Sequence, residues 1–274
     1  MSMKHRLPEA AADIPARQRK QAAYVPAYAA PVSAAEQQER LAMLERLPEQ
    51  ATAALTRLTV PNYHVDRTLR EATLASVDHW QDEAEVLVFT SSDRLKVHLG
   101  TPRSSLEMAE ALSRIRQLSA STLLTARIVL GLWNIRRSNH QLARDGSIAM
   151  RLEEVLEWRG LKKRSYLAAP GLSEKRYTGG YKAEYKEQVL QDLDLLASCC
   201  VRGQVTCSFK GKKVQVNISG PYLQYSLVTI KPGEANEVVA GVFVSPGAWI
   251  NAYTDSITAI AISSARRAPR PSRS

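Results

Sequence analysis

Apolar and polar positions repeat along this chain with two periods, and the changes of period mark out its elements. From Ser33 to Leu47, "SAAEQQERLAMLERL" sets Leu41, Leu44 and Leu47 at helical spacing. Ser33 offers an N-cap oxygen, Glu36 stands three residues on as in a capping box, and Pro48 stops the run. "EQATAALTRL" predicts another helical turn or two before Pro61, and residues 66–80 predict an amphipathic helix with Leu69, Ala72 and Leu74 as its apolar set. Four consecutive apolar residues in "EVLVFTS" and the period-two alternation of "DRLKVHLG" then predict strands joined by a hairpin turn at Ser91-Ser92-Asp93, with His98 facing solvent. A helical pattern returns over residues 102–117. After a cap at Ser119 or Ser121 comes "STLLTARIVLGLWNIRR", apolar around most of its circumference, which predicts a central helix packed on several sides.

Asp145-Gly146 signals a turn, and Ile148, Met150 and Leu152 alternate over a short strand. A short helix follows, with Glu153 and Glu154 complementing its dipole, and ends at Gly160. Beyond a basic loop, "YKAEYKEQVLQDLDLLASCC" predicts a long helix with Tyr185, Val189, Leu193 and Leu196 on its apolar face. Asp192 and Asp194 fall on its solvated face, and Cys199 and Cys200 close it as small hydrophobes. "QVTCSFKGKKVQVNISG" predicts a hairpin tipped by Lys210, Lys212 and Lys213, and two further strands flank the turn "PGEAN".

Composition narrows the class. The 274 residues are 45% hydrophobic and 23% charged, enough for a sizeable core, and the formal charge of +10 favours polyanionic partners. No apolar run is long enough to span a bilayer and residues 1–20 hold no secretory h-region, so a cytoplasmic protein without a membrane partner is expected. Three cysteines (Cys199, Cys200 and Cys207) make no disulfide framework, and with five scattered histidines they make no zinc set, so neither metal nor cofactor is expected. Charge is concentrated. Between Gly160 and Lys213 eleven cations face five carboxylates, a local +6. Such a concentration is what phosphate neutralisation with counterion release requires.

The expected fold class is α+β. It consists of a winged helix-turn-helix core over 119–253, a preceding helical region with a β-hairpin over 33–118, and a β-rich C-terminal part. A disordered basic arm (1–32) and a disordered Arg/Pro-rich tail (254–274) flank these. Helix, short strand, short helix, basic loop, helix and hairpin is the order of that module, which lays one helix in the major groove. The candidate DNA-binding residues are Lys162, Lys163, Arg164, Lys175, Arg176, Tyr181, Lys182, Lys186, Lys210, Lys212 and Lys213.

Three stretches, "LLTARIVLGLWNIRRSNHQLARDGSIAMRLEEVLEWRG", "GGYKAEYKEQVLQDLDLL" and "VFVSPGAWI", together resemble bacterial plasmid replication initiators built on winged-helix domains. The resemblance covers residues 119–253. It implies sequence-specific binding of double-stranded DNA at origin repeats, local melting, and recruitment of host replication proteins. Such initiators commonly carry two winged domains in tandem, whereas here a short Ser/Ala/Arg/Pro tail follows "PGAWINAY", so a truncated or divergent member is expected. The N-terminal helices and the 85–99 hairpin are candidates for homodimerisation or host contact, and the sequence does not choose. Two other readings fit the same basic face: a winged-helix transcriptional regulator, and a non-enzymatic interaction protein with an acidic partner. No enzyme is expected, because no histidine pair beside a tyrosine, phosphate-cradling G-x-x-x-x-G-K-[ST] loop, G-x-S-x-G elbow or H-E-x-x-H occurs.

Overall fold

A computed structural model describes residues 27–47, 57–61, 63–101, 104–167, 176–209, 212–230, 238–253 and 259–263. The chain is a mixture of α-helix and antiparallel β-sheet. It opens with α1 (Ala34–Glu45), β1 (Arg57–Pro61) and α2 (His64–Leu74), followed by β2 (Gln81–Glu83), β3 (Val86–Thr90), β4 (Lys96–Thr101) and β5 (Ser104–Ser105). Next come α3 (Met108–Gln117), α4 (Ala120–Ser138), β6 (Ile148–Met150), α5 (Leu152–Trp158), β7 (Ser165–Leu167), β8 (Arg176–Thr178) and α6 (Ala183–Ser198). After α6 the described residues form β9 (Cys199–Phe209), β10 (Lys212–Pro221), β11 (Leu223–Ile230), β12 (Val238–Pro246), a 3-10 helix (Ala248–Tyr253) and β13 (Ala259–Ser263).

Local signals account for most of these ends. Ser33 Oγ accepts the Glu36 N–H at 3.3 Å and caps α1, and Ser119 Oγ accepts from Thr122 and caps α4. The β2–β3 turn is made by Ala84 and Glu85, both at positive φ, the backbone that a two-residue hairpin needs. The expected turn at Ser91-Ser92-Asp93 is present and closes through Ser91 N–H to Leu95 O at 2.9 Å.

α4 is the axis of the core. Ala126, Ile128, Val129, Leu130 and Leu132 are all buried, because α2, α5, α6, β1 and β12 pack around this one helix. Gly131 admits the closest of these neighbours: a Cβ there would stand 3.0 Å from Leu58 Cβ of β1. Among the described residues no single helix is long and apolar enough to cross a membrane. α3 and α4 would reach that length together but meet at 77°.

Among the described residues four sheets surround the helices: β10-β9-β4-β3-β2 with β5 on β4, β11-β12-β6, and the pairs β1–β13 and β7–β8. β4 pairs β9 from Lys96↔Arg202 to Leu99↔Cys199. Strands on either side of residue 118 thus share one sheet, and one buried cluster runs from Leu58 to Ile250.

Several expectations need correction. The hairpin expected after the last helix is present as β9–β10, but the short strand β6 pairs with β12, through Val242↔Met150 and Val244↔Ile148. Three consecutive buried residues in β6 need an apolar strand beside them, and β12 offers Val242, Phe243 and Val244. Residues 57–58, expected to be helical, lie in β1, paired with β13. Residues 259–263 of the expected disordered tail therefore form a strand. The helix expected from Pro102 starts at Met108, after β5. Leu74 is 68% exposed. It sits five residues beyond Leu69, about 140° around the helix from it and about 160–180° from Ala72 and Val65, so it points away from their stripe.

The last part of the expected disordered arm is also docked. Tyr28 N–H donates to Asp194 Oδ1 at 2.7 Å, Ala30 N–H donates to Tyr225 O at 2.7 Å, and the Arg114 guanidinium lies 4.8 Å from the Tyr28 ring centroid. Finally, Asp192 and Asp194 are each only 1% exposed. The sequence pattern assigned α6 one buried face, but the second half of the helix is enclosed all round. Val189 and Leu190, and then Asp192 to Ser198, are all buried. Strands β4, β9, β10 and β11 cover the side that α4 and α5 leave open.

Candidate nucleic-acid interface

The segment with the densest charge begins where α5 stops. Gly160, at φ +75°, takes the left-handed position. Its N–H donates to Glu157 O at 2.9 Å, and Leu161 N–H donates to Leu156 O at 3.1 Å, the paired bonds of a Schellman cap. The chain leaves this cap through Lys162, Lys163 and Arg164, all exposed. What the sequence presented as a loop is the base of a hairpin. Ser165, Tyr166 and Leu167 pair with Thr178, Tyr177 and Arg176, and the ladder continues through Arg164 N–H to Gly180 O (3.2 Å) and Gly179 N–H to Arg164 O (2.7 Å).

This pairing sets residues 162–164 against residues 179–182. Lys163 Nζ lies 6.0 Å from the Tyr181 ring centroid, and Lys182 Nζ lies 5.7 Å from that of Tyr185. Lys182 is also the N-cap of α6 and makes no side-chain cap bond. Four exposed cations (Lys162, Lys163, Arg164 and Lys182) therefore lie on the two paired segments that lead into the positive end of a 16-residue helix. Oriented N–H groups and nearby cations together favour an anion such as a backbone phosphate.

The other candidates divide. Lys186 is not free for an outside anion: its ammonium pairs with Glu153 of α5, and both side chains are about two-thirds covered. Arg176 opens β8, opposite Leu167. Lys175 and Lys210 lie outside the described residues. Lys212 opens β10, opposite Phe209, and Lys213 is exposed. These last belong to a second projection. β4 pairs only with residues 199–202 of β9, and at Gly203 the β9–β10 pair leaves the sheet as a two-stranded ribbon. Gly203 has φ +145°, and a Cβ there would stand 2.8 Å from Leu95 Cδ2, so the departure depends on glycine. Seven residues of extended chain reach roughly 23 Å. The ribbon is rooted at the C-terminal end of α6, where Cys199 is both helix cap and first strand residue. The cationic hairpin base is at the other end, about 24 Å away along a 16-residue helix.

A buried polar cluster fixes α6 between these two projections. Asp192 accepts from Thr122 Oγ1 at 3.0 Å and Thr125 Oγ1 at 2.8 Å on α4, and pairs with Arg159 at the end of α5. Asp194 accepts from Tyr225 OH at 3.0 Å and faces Arg114 Nη1 at 3.4 Å. Residue-by-residue reading of α6 missed both aspartates. The available signal was in α4, where Thr122 and Thr125 fall at one-turn spacing among the apolar residues of its first half. Asp66 of α2 accepts from Tyr222 OH at 3.1 Å and has Arg127 at 3.6 Å. Burial pushes its carboxyl above the usual range, and Arg127 and Tyr222 only partly offset that. Cys199 and Cys200 are buried free thiols, and burial raises Cys200 to about 11.

Among the described residues no three His, Cys, Asp or Glu side chains gather in a metal-binding cluster. Comparison of the chain with protein-family models, with curated proteins and with solved structures gave no match.

Proposed function

We propose that this chain is a sequence-specific DNA-binding protein of the winged-helix type, acting as a plasmid-type replication initiator at origin repeats. In this reading α4, α5 and α6 are the three helices, β6 is the short strand between the first two, and β11–β12 is the wing. The return strand of a wing pairs with that short strand, and β12 pairs with β6. The β9–β10 ribbon is then an insertion between the third helix and the wing.

One observation carries the reading: Lys162, Lys163, Arg164 and Lys182 are exposed together on the paired segments that lead into the uncapped N-terminus of α6. Helix-turn-helix readers place the N-terminal residues of the recognition helix at the base edges. Here that end is the accessible one, since α6 is buried from Asp192 onward. The assignment to replication rests on the sequence resemblance. Melting of the origin and recruitment of host replication proteins are part of the same proposal, and Lys213 of the ribbon is a second phosphate contact within it.

The test is duplex binding as a function of salt. Each phosphate contact contributes about 0.9 to the slope of log K against log salt. Replacing Lys162, Lys163 and Arg164 together by Ala should flatten the slope by about 2.7 and weaken binding to all sequences alike. An unchanged slope refutes the interface. Sequencing of genomic fragments captured by the protein separates initiator from regulator, because direct repeats beside an origin support the first and a single promoter palindrome the second.

A further inference from the structure

Within that proposed DNA-binding role, on which this step rests, the structure points to the two residues that read the bases. We infer that Glu184 and Gln188 are the specificity-determining side chains of α6, selecting a cytosine and an adenine that lie within two base steps of each other.

The inference follows from what α6 leaves uncovered. Of its 16 residues, only Ala183, Glu184 and Gln188 are exposed. Tyr185 is partly covered and lies beneath Lys182, and Lys186 is tied to Glu153. Glu187 and Gln191 are partly buried, and the aspartates further along are enclosed. Ala183 carries no polar atom and keeps the first turn slim enough to approach a groove floor. Glu184 and Gln188 are four residues apart, so they project from one helix face.

Their chemistry suits base edges better than phosphates. A carboxylate in the first turn of this helix, next to a basic segment, weakens attraction for a phosphate, but it can accept from cytosine N4–H₂, which is a donor in the major groove. A glutamine side chain matches adenine N6 and N7 with one donor and one acceptor. Among the described residues the Gln188 side chain is held by a long 3.4 Å bond from Nε2 to Asp192 Oδ1, which exchanges readily for a base contact. Lys162, Lys163, Arg164 and Lys182 would then grip the flanking phosphates and set the register. Four helical residues advance about 6 Å along the axis, and bases on one strand are about 3.4 Å apart. The two readings therefore fall at most two steps apart.

The experiment is selection from a pool of randomised duplexes, bound by the full-length protein and by each variant and then sequenced. The wild-type motif should contain a cytosine and an adenine within two steps. Glu184→Gln keeps the side-chain length, removes the charge and supplies the adenine-matching group, so the cytosine column should change to adenine. Gln188→Ala should flatten the adenine column alone. For each altered column, discrimination should fall about 5- to 150-fold. Glu184→Gln should also bind unrelated duplex somewhat more tightly than wild type, because a negative charge leaves the first turn next to the basic segment.

If Glu184 merely complements the helix dipole, Glu184→Gln changes specific and unrelated binding in equal proportion and leaves every column unchanged. That result overturns the inference while the DNA-binding reading survives. A pool that shows no enrichment with the wild-type protein overturns both. Both side chains are exposed, so thermal midpoints within a degree or two of wild type are expected and confirm that the variants are folded.

Discussion

Replacing Asp192 with alanine tests the account of how α6 is held. The carboxylate is 1% exposed, and the side chain of its partner Arg159 is 9% exposed. It also accepts the hydroxyls of Thr122 and Thr125. Thr125 has a second acceptor in Ser121 O at 3.0 Å, so it is not stranded by the change. The Arg159 guanidinium is stranded: it keeps the Thr125 hydroxyl and loses its counter-charge. Removing one partner of a buried ion pair costs about 3–5 kcal/mol. With a urea dependence of about 3 kcal/mol per molar for a chain of this size, the unfolding midpoint should fall by about 1 M or more. Equilibrium urea unfolding followed by far-UV circular dichroism measures it. Replacing the pair together, Asp192→Leu with Arg159→Met, should recover most of the loss, since an apolar pair of similar volume removes the desolvation penalty of both charges. A midpoint shift of less than about 0.3 M for Asp192→Ala would refute the reasoning, because that is about 1 kcal/mol and within reach of a surface substitution.

Two further outcomes follow from other parts of the core. Asp66 has a folded-state pKa raised above 3.8, so the folded protein holds this proton at pH values where the unfolded chain has released it. Stability from this group is present below pH 3.8 and is lost as pH rises toward the raised folded value. The wild-type melting midpoint minus that of Asp66→Asn should therefore decline across that window, and a difference that grows with pH would contradict the burial argument. Gly241 of β12 lies under α1: a Cβ there would stand 2.7 Å from Leu44 Cδ2 and 2.9 Å from Met150 O. Gly241→Ala should cost about 1–3 kcal/mol through overpacking, read as a lowered thermal midpoint. The additional variant Leu44→Ala should not add its full separate cost, because it removes the two Leu44 methyls that clash and leaves only Met150 O in the way.

The sequence determined those elements whose signals are local. Ser33 and Ser119 caps, the Ser91–Asp93 turn and Gly160 as a helix stop depend on bonds within a few residues, and the apolar run of β3 and the alternation of β4, β9 and β10 mark strands whatever their partners; all appear in the fold. The all-round apolar pattern of α4 likewise required a central position. For the candidate site, the cations 162–164 and 182 and their concentration before α6 were legible in the chain alone. Hidden from it were the pairing of Gly179 and Gly180 with Arg164, which gathers those charges, and the occupation of Lys186 by Glu153.

Tertiary structure alone decided the rest, because those outcomes depend on partners far away in the chain. That β6 pairs with β12 depends on contacts between residues far apart in the chain: its three buried residues lie beside the continuous apolar run Val242, Phe243 and Val244, whereas β10 alternates apolar with polar residues. Asp192 and Asp194 look like surface residues until Arg159 and Arg114, 33 and 80 residues earlier, are placed beside them. Residues 27–32 have a composition typical of a tail and are held in part by Tyr225 O of β11, while residues 259–263, Ala-Ile-Ala-Ile-Ser, carry a period-two strand pattern whose partner, β1, is far away in the chain. Backbone N–H and C=O groups on an open strand edge bond to whatever chain reaches them, and that chain cannot be identified from a local window of sequence.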